Sequence, residues 1–247
     1  MTGESPHAGK RVAVTGAARG IGRGIAERFA AAGALVTLLD LDGEEAAQAA
    51  HALPGAGAVE LDVSDGGATE RYFAGAARPF DVVIANAGVS LPKRTAVDTP
   101  DDAWDWLMDN NLRGAFNTMR SGAARMLAEG VPGRIIATSS VAGLTAEPGY
   151  AVYAAAKWGL MGLVKSMAME LAPSGILVNG VCPGDVQTRF LDETADPAGV
   201  YSGALGRPAR IEEITGIYLW LAGPEASYAV GEMVVLDGGL SLSAMAR

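Results

Sequence analysis

Short apolar runs alternating with helical stretches constrain this chain more than any other feature. The runs are Arg11–Thr15, Leu35–Asp40, Val59–Val63, Asp81–Ala85, Arg134–Thr138, Ile176–Val181 and Glu232–Leu236. Most are continuous rather than alternating, and Gly, Asp or Asn bounds them, which is how a strand buried on both faces reads. Helical patterns fill the intervals at Ile21–Ala32, Glu44–Ala52, Ala68–Ala76, Pro100 to about Ala128, Ala151–Leu171 and Ile211–Leu221. Pro100, after Thr99, reads as a first helical residue. Strand followed by helix throughout predicts right-handed crossovers. The expected fold is an α/β doubly wound sheet of about seven parallel strands with helices on both faces.

The pattern fills residues 10–247 without a repeat, a low-complexity tract or a linker, so one domain is expected behind a tail at 1–9. A hydrophobic content of 49% supplies its core and excludes intrinsic disorder. The balance of 19 Lys+Arg against 28 Asp+Glu gives a charge of −9, which disfavours nucleic acid and anionic membrane surfaces as partners. The single cysteine, Cys182, permits no internal disulfide and no zinc cluster, and no metal site is expected. No apolar run reaches the ~18 residues of a membrane span, and the first residues lack the order of a secretion signal. A cytoplasmic protein is expected. The one long irregular stretch is 183–207, and a loop of that length in a compact domain is usually functional.

After the first run comes Gly16-Ala17-Ala18-Arg19-Gly20-Ile21-Gly22, then a helix. A strand feeding glycines and a helix N-terminus is an anion site, because amide dipoles converge there and missing side chains let a pyrophosphate approach. The plainer reading is a tight turn. Further on, Asp40 ends the second run, where a carboxylate accepts hydrogen bonds from an adenosine ribose and repels the 2′-phosphate of NADP. Asp42 competes for that role, and Arg19 pulls toward NADP. Like-charge contact in a partly desolvated site is costly, so NAD is expected over NADP. Asp62 and Val63, ending the third run, are placed to meet adenine; a turn aspartate is the alternative.

Tyr153 and Lys157 stand four apart on one helix, hence on one face. A phenol titrates near ~10 and is a poor base at neutral pH. A neighbouring ammonium favours the phenolate, and lowering the pKa by about two to three units takes roughly 3–4 kcal/mol. So tuned, the phenol donates a proton to a carbonyl oxygen or takes one from an alcohol. A surface Tyr–Lys pair is the bland alternative. However, Ser139 and Ser140 close the fifth run, and Asn86, Ala87 and Gly88 follow the fourth. In a doubly wound sheet the carboxyl ends of strands line the ligand crevice, so these groups should converge with Gly16, Asp40, Asp62, Pro183 and Gly184 on one edge.

In this order the motifs resemble the short-chain dehydrogenase/reductase family over nearly the whole chain. They are Thr15-Gly16 with Gly20-Ile21-Gly22, Asp62-Val63, Asn86-Ala87-Gly88, Asn111, Ser140, Tyr153 with Lys157, Asn179, Pro183-Gly184 with Thr188, and Asp237-Gly238-Gly239. The resemblance implies a Rossmann-type fold and reversible hydride transfer between NAD and a secondary alcohol or ketone. It implies that Tyr153 is the acid/base, that Ser140 binds the substrate oxygen and that Lys157 holds the nicotinamide ribose. Asn111, rather than its neighbour Asn110, would anchor a water in a proton relay. Gly16, Arg19, Gly20, Ile21, Gly22, Asp40, Asp62, Val63, Asn86, Ala87, Gly88, Pro183, Gly184, Val186 and Thr188 would contact the cofactor. Ala85 stands where many members carry an Asn. The family also implies a homodimer, usually within a tetramer.

In the 183–207 loop, Phe190, Leu191 and Tyr201 offer apolar contact. Arg189 would meet an acidic substrate group or pair with Asp185, Asp192 or Glu193. Lys93 and Arg94 read first as solvated charge, and Tyr150 as a pocket wall. Met161, Met167 and Met169 read as core or subunit contacts and Cys182 as a buried strand-end residue. His7 and His51 carry no assignment. Two other functions fit the fold. One is an NADPH-dependent 3-oxoacyl-carrier-protein reductase, which the acidic charge disfavours; the other is a non-catalytic dinucleotide sensor, which the presence of both Tyr153 and Lys157 disfavours.

Overall fold

In the computed structural model, residues 5–189 and 203–244 are described. Seven strands form one parallel sheet in the order β3-β2-β1-β4-β5-β6-β7. They are β1 (Arg11–Thr15), β2 (Leu35–Asp40), β3 (Gly57–Glu60), β4 (Val82–Ala85), β5 (Gly133–Thr138), β6 (Ile176–Pro183) and β7 (Met233–Leu236). The α-helices are α1 (Gly20–Ala31), α2 (Gly43–His51), α3 (Gly66–Gly75), α4 (Asp101–Met108), α5 (Gly114–Ala128), α6 (Ala151–Leu171), α7 (Ile211–Ala222) and α8 (Leu240–Ala244). From β1 the chain winds one way to β3, then crosses to β4 and winds the other way to β7. The strand order therefore reverses between β1 and β4, where doubly wound sheets open a ligand crevice.

Both faces of the sheet are covered, which explains the continuous apolar runs. On one face Val12, Val14 and Leu38 pack with Ile25 and Phe29 of α1 and with Ile214, Tyr218 and Leu221 of α7. On the other, Ala13, Leu39 and Val83 pack with Phe73 of α3, Met119 and Met126 of α5, and Leu160 and Val164 of α6. Residues 5–9 precede β1, and His7 among them is buried edge-on against Phe29. Asp42 and Asp65 cap α2 and α3 by accepting the amides of Glu45 at 3.0 Å and Ala68 at 2.9 Å. Each such cap is worth about 1 kcal/mol.

Most element ends shift by one or two residues from the sequence reading, and three differences bear on the architecture. The third strand lies at Gly57–Glu60 rather than reaching Val63. It is an edge strand, and its partner β2 stops at Asp40, so Leu61, which donates to the Asp40 carbonyl at 2.8 Å, has nothing beyond it to pair with. The helical stretch from Pro100 is broken by a π turn, Asp109–Arg113, between α4 and α5. Pro100 itself is extended and caps α4, whose first residue is Asp101.

Candidate active site

The glycine turn is built by close approach. Gly16 and Gly20 have φ of +64° and +58°, a region other residues avoid. A Cβ on Gly16 would lie 2.7 Å from Ala87 Cα, and one on Gly22 would lie 2.1 Å from the Gly16 carbonyl oxygen. Thr15 Oγ1 accepts the amides of Asn86 at 3.0 Å and Ala87 at 3.2 Å, and Asn86 Nδ2 donates to the carbonyls of Thr15 at 3.1 Å and Gly16 at 3.2 Å. The ends of β1 and β4 are thus tied together at the crevice. Behind the turn, α1 begins without a side-chain cap and without an acidic residue in its first turn. Its free amides and positive dipole end suit a pyrophosphate.

Beside the turn lies a cleft of about 530 Å³ lined by Arg19, Asp40, Leu41, Asp42, Gly43, Glu44 and Glu60. Asp40 Oδ2 accepts the Ala18 amide at 2.9 Å and Oδ1 the Asp42 amide at 3.1 Å. Each oxygen keeps acceptor capacity for a ribose hydroxyl. Asp42 Oδ1 accepts the Glu45 amide at 3.0 Å as the cap of α2. Arg19 pairs with Glu45 at 2.6 Å. Asp62 Oδ1 accepts the Ser64 amide at 2.8 Å and hydroxyl at 2.7 Å, so it also builds a turn. Val63 is buried, and its carbonyl accepts Asn117 Nδ2 at 2.8 Å.

The α6 helix brings Tyr153 and Lys157 against the end of β5. Lys157 is only 4% exposed and its Nζ donates to the Thr138 carbonyl at 3.0 Å. Burial pushes its pKa down to about 8. Burial also pushes Tyr153 up to about 12, although a hydrogen bond from the Ser140 side chain opposes the rise. Ser140 is oriented in turn because its Oγ accepts the Ala142 amide at 3.1 Å. The sequence predicts that the lysine lowers the phenol; in the structure burial raises it, and what opposes the rise is Ser140. Cys182 is buried, as expected, and desolvation raises its thiol to about 11. Thr138, given no role in the sequence reading, anchors Lys157 through its carbonyl and meets the Tyr218 hydroxyl at 2.8 Å through its own.

Asn111 lies in the π turn and is buried. Its Oδ1 accepts the Val89 amide at 2.6 Å, and its Nδ2 donates to the Val89 carbonyl at 2.8 Å. A Cβ on Gly88 would lie 3.0 Å from Asn111 Oδ1 and 3.6 Å from Lys157 Nζ, which places all three together. Asn110 is the other asparagine only in sequence: its Nδ2 faces back to the Trp106 carbonyl at 2.8 Å.

At the far wall Pro183 and Val186 are buried, and a Cβ on Gly184 would lie 2.8 Å from Asp237 Cα. Asn179 is structural, accepting the Glu232 amide and donating to the Ala229 carbonyl, each at 2.9 Å. Thr188 stands by the glycine turn, since a Cβ on Gly20 would be 3.6 Å from its Cγ2. Val186 pairs with Ala209 in a parallel bridge, flanked by Gln187 N–H to Ala209 O at 2.9 Å and Ala209 N–H to Asp185 O at 2.8 Å. Phe190, Leu191, Asp192, Glu193 and Tyr201 lie outside the described residues. Lys93 pairs with Glu147 at 2.7 Å and sits 5.2 Å from the Tyr150 ring centroid, while Tyr150 packs edge-on to Tyr153 at 6.1 Å. Met167 joins the core and Met169 is exposed. Among the described residues no group of three or more His, Cys, Asp or Glu is placed to hold a metal, and no helix is long and apolar enough to cross a membrane.

Comparison with known proteins agrees with this fold. A family model described as enoyl-(acyl carrier protein) reductase matches residues 16–241. A short-chain dehydrogenase/reductase of Armillaria gallica is 36% identical over 259 residues, covering 97% of this chain and 99% of its own. The 3-oxoacyl-[acyl-carrier-protein] reductase of Thermotoga maritima is 34% identical over 242 residues, covering 94% of this chain and 98% of its own. Among solved structures, carveol dehydrogenase from Mycobacterium avium in complex with NAD superposes with a TM-score of 0.88 at 30% identity, covering 95% of this chain and 98% of that one.

Proposed function

The chain belongs to the short-chain dehydrogenase/reductase family of oxidoreductases, and we propose that it interconverts a secondary alcohol and a ketone with NAD, using Tyr153 as acid and base. The observation that carries this reading is the meeting of Tyr153 with a buried Lys157, whose Nζ lies 5.6 Å from its ring centroid, beside a Ser140 side chain that opposes the upward shift of the phenol. Two hydroxyls so placed can hold one substrate oxygen between them. The glycine turn, Asp40, Asn86 and Thr188 are the residues that would hold the dinucleotide, along with the buried wall at Pro183 and Val186. When bound, it supplies the carbon that accepts or gives the hydride.

In the reducing direction the Tyr153 phenol gives its proton to the carbonyl oxygen, and Ser140 donates a hydrogen bond to the same atom. In the oxidising direction Tyr153 must first become phenolate, then takes the alcohol proton. With Lys157 near 8, most of that side chain stays charged at neutral pH and favours the phenolate. Asn111 spends its side chain on Val89, so a relay role falls to its backbone carbonyl, in a π turn that breaks the i→i+4 ladder.

NAD is favoured over NADP by the free acceptor capacity of Asp40 and by the pairing of Arg19 with Glu45. Exposed Trp104 and Trp106 on α4 and Trp158 and Met169 on α6 support a homodimer or tetramer. The likeness to the Thermotoga enzyme favours a second reading, reduction of 3-oxoacyl groups on a carrier protein. The test is a panel of alcohols, ketones and a 3-oxoacyl thioester with both cofactors, run on the wild type and Tyr153→Phe. Turnover of simple ketones with NADH, cut by about a hundredfold to ten-thousandfold in the variant, is expected. Unchanged turnover in Tyr153→Phe discards the catalytic assignment.

A further inference from the structure

We propose that Glu45 is a cofactor-specificity residue that acts through Arg19, a step beyond Asp40 that rests on the NAD reading above. The cleft beside the glycine turn is lined by four carboxylates, Asp40, Asp42, Glu44 and Glu60, and by one cation among the described residues, Arg19. Two features of that cleft would otherwise attract a phosphate on the adenosine ribose. Arg19 is one, since a guanidinium matches phosphate in charge and geometry. The N-terminus of α2 is the other, because Asp42, Gly43 and Glu44 at its start line the cleft and its dipole presents positive charge there. Glu45 counters both. It is the third residue of α2, where a carboxylate sits on the dipole's positive end, and its Oε2 holds Arg19 Nη1 at 2.6 Å.

The local sequence fixes this geometry. Asp42 Oδ1 accepts the Glu45 amide at 3.0 Å and so sets the start of the helix. Gly43 lets Glu60 of β3 pack underneath, for a Cβ there would lie 2.8 Å from Glu60 Cβ. Arg19 leaves the glycine turn directly opposite. Both partners keep solvent contact, with side chains 50% and 35% exposed, so the pair adds little to stability. Its effect is on which anion the cleft admits. A cofactor with only a ribose diol meets Asp40 and leaves the pair intact. A 2′-phosphate has to draw Arg19 away from Glu45 and approach that carboxylate as well.

The experiment is titration of NADH and NADPH, followed by nucleotide fluorescence, against the wild type, Glu45→Gln, and Glu45→Gln combined with Arg19→Ala. Glutamine keeps the size and helix propensity of the position. Glu45→Gln should tighten NADPH about threefold to tenfold and change NADH by less than about twofold. Adding Arg19→Ala should abolish the gain. A wild type that prefers NADH, together with unchanged NADPH affinity in Glu45→Gln, overturns this proposal alone. A gain that survives Arg19→Ala also overturns it, since the effect would not pass through the guanidinium. A wild type that already prefers NADPH overturns the NAD reading on which the proposal rests.

Discussion

The Nζ of Lys157 donates to the carbonyl of Thr138 at 3.0 Å and lies 5.6 Å from the centroid of the Tyr153 ring. The cation is therefore anchored to the end of β5 and not only to its helical neighbour. Burial sets its pKa at about 8 against the ordinary 10.5, a native value below the unfolded one. Between these pH values the unfolded chain holds a proton that the native chain has released, so this contribution to stability grows as pH rises and is lost as pH falls through about 8. The full shift corresponds to about 3 kcal/mol. In Lys157→Met that pH-dependent gain is absent, so the stability difference should move in favour of wild type as pH rises across that window. Denaturant midpoints measured from pH 7.5 to 9.5 check it; parallel profiles would show that Lys157 titrates normally.

Ser140→Ala removes a donor that opposes the upward shift of the Tyr153 pKa. Alcohol oxidation needs the phenolate, so its rise in kcat/KM with pH should move to higher pH in the variant. Its rate at neutral pH should fall by about tenfold to a thousandfold. A profile of unchanged position with a lower plateau would mean that Ser140 binds substrate without tuning Tyr153.

Gly22→Ala should fold poorly or not at all. Its methyl would fall 2.1 Å from the Gly16 carbonyl oxygen and 2.5 Å from Asn86 Nδ2, and the turn has no free space in which to move. Gly57→Ala is the control, because a Cβ there meets nothing within 4 Å. Thermal unfolding should separate the two by more than about 3 kcal/mol.

Asn111→Ala strands both the amide and the carbonyl of Val89, at a cost of about 2–4 kcal/mol. Asn110→Ala loses one exposed bond to Trp106 and should cost under about 1 kcal/mol. Equal losses in urea unfolding would show that the Asn111 contacts with Val89 add nothing to stability.

Local chemistry was the part of this protein most legible in its sequence. The span of α6 and the shared face of Tyr153 and Lys157 follow from helical spacing alone. The glycine turn and Asp40 follow from the strand–turn–helix order. The pKa directions did not follow, because desolvation depends on what the whole fold packs around a group. The same limit hid Thr138 and Glu45, whose partners are distant in sequence. The π turn at Asp109–Arg113 was hidden for another reason: its residues include no glycine or proline to mark a break in the long helical stretch.

The rung between Val186 and Ala209 joins the chain just before and just after most of the 183–207 stretch. Both ends of that excursion are pinned at one point, against the sheet on one side and α7 on the other. Its length and side chains can therefore change at little cost to the framework, since loop closure grows only slowly with length. Grafting the corresponding stretch of a relative between these anchors should transfer substrate preference while the glycine turn keeps its own nucleotide. In such an architecture, choice of substrate and choice of nucleotide would be separable.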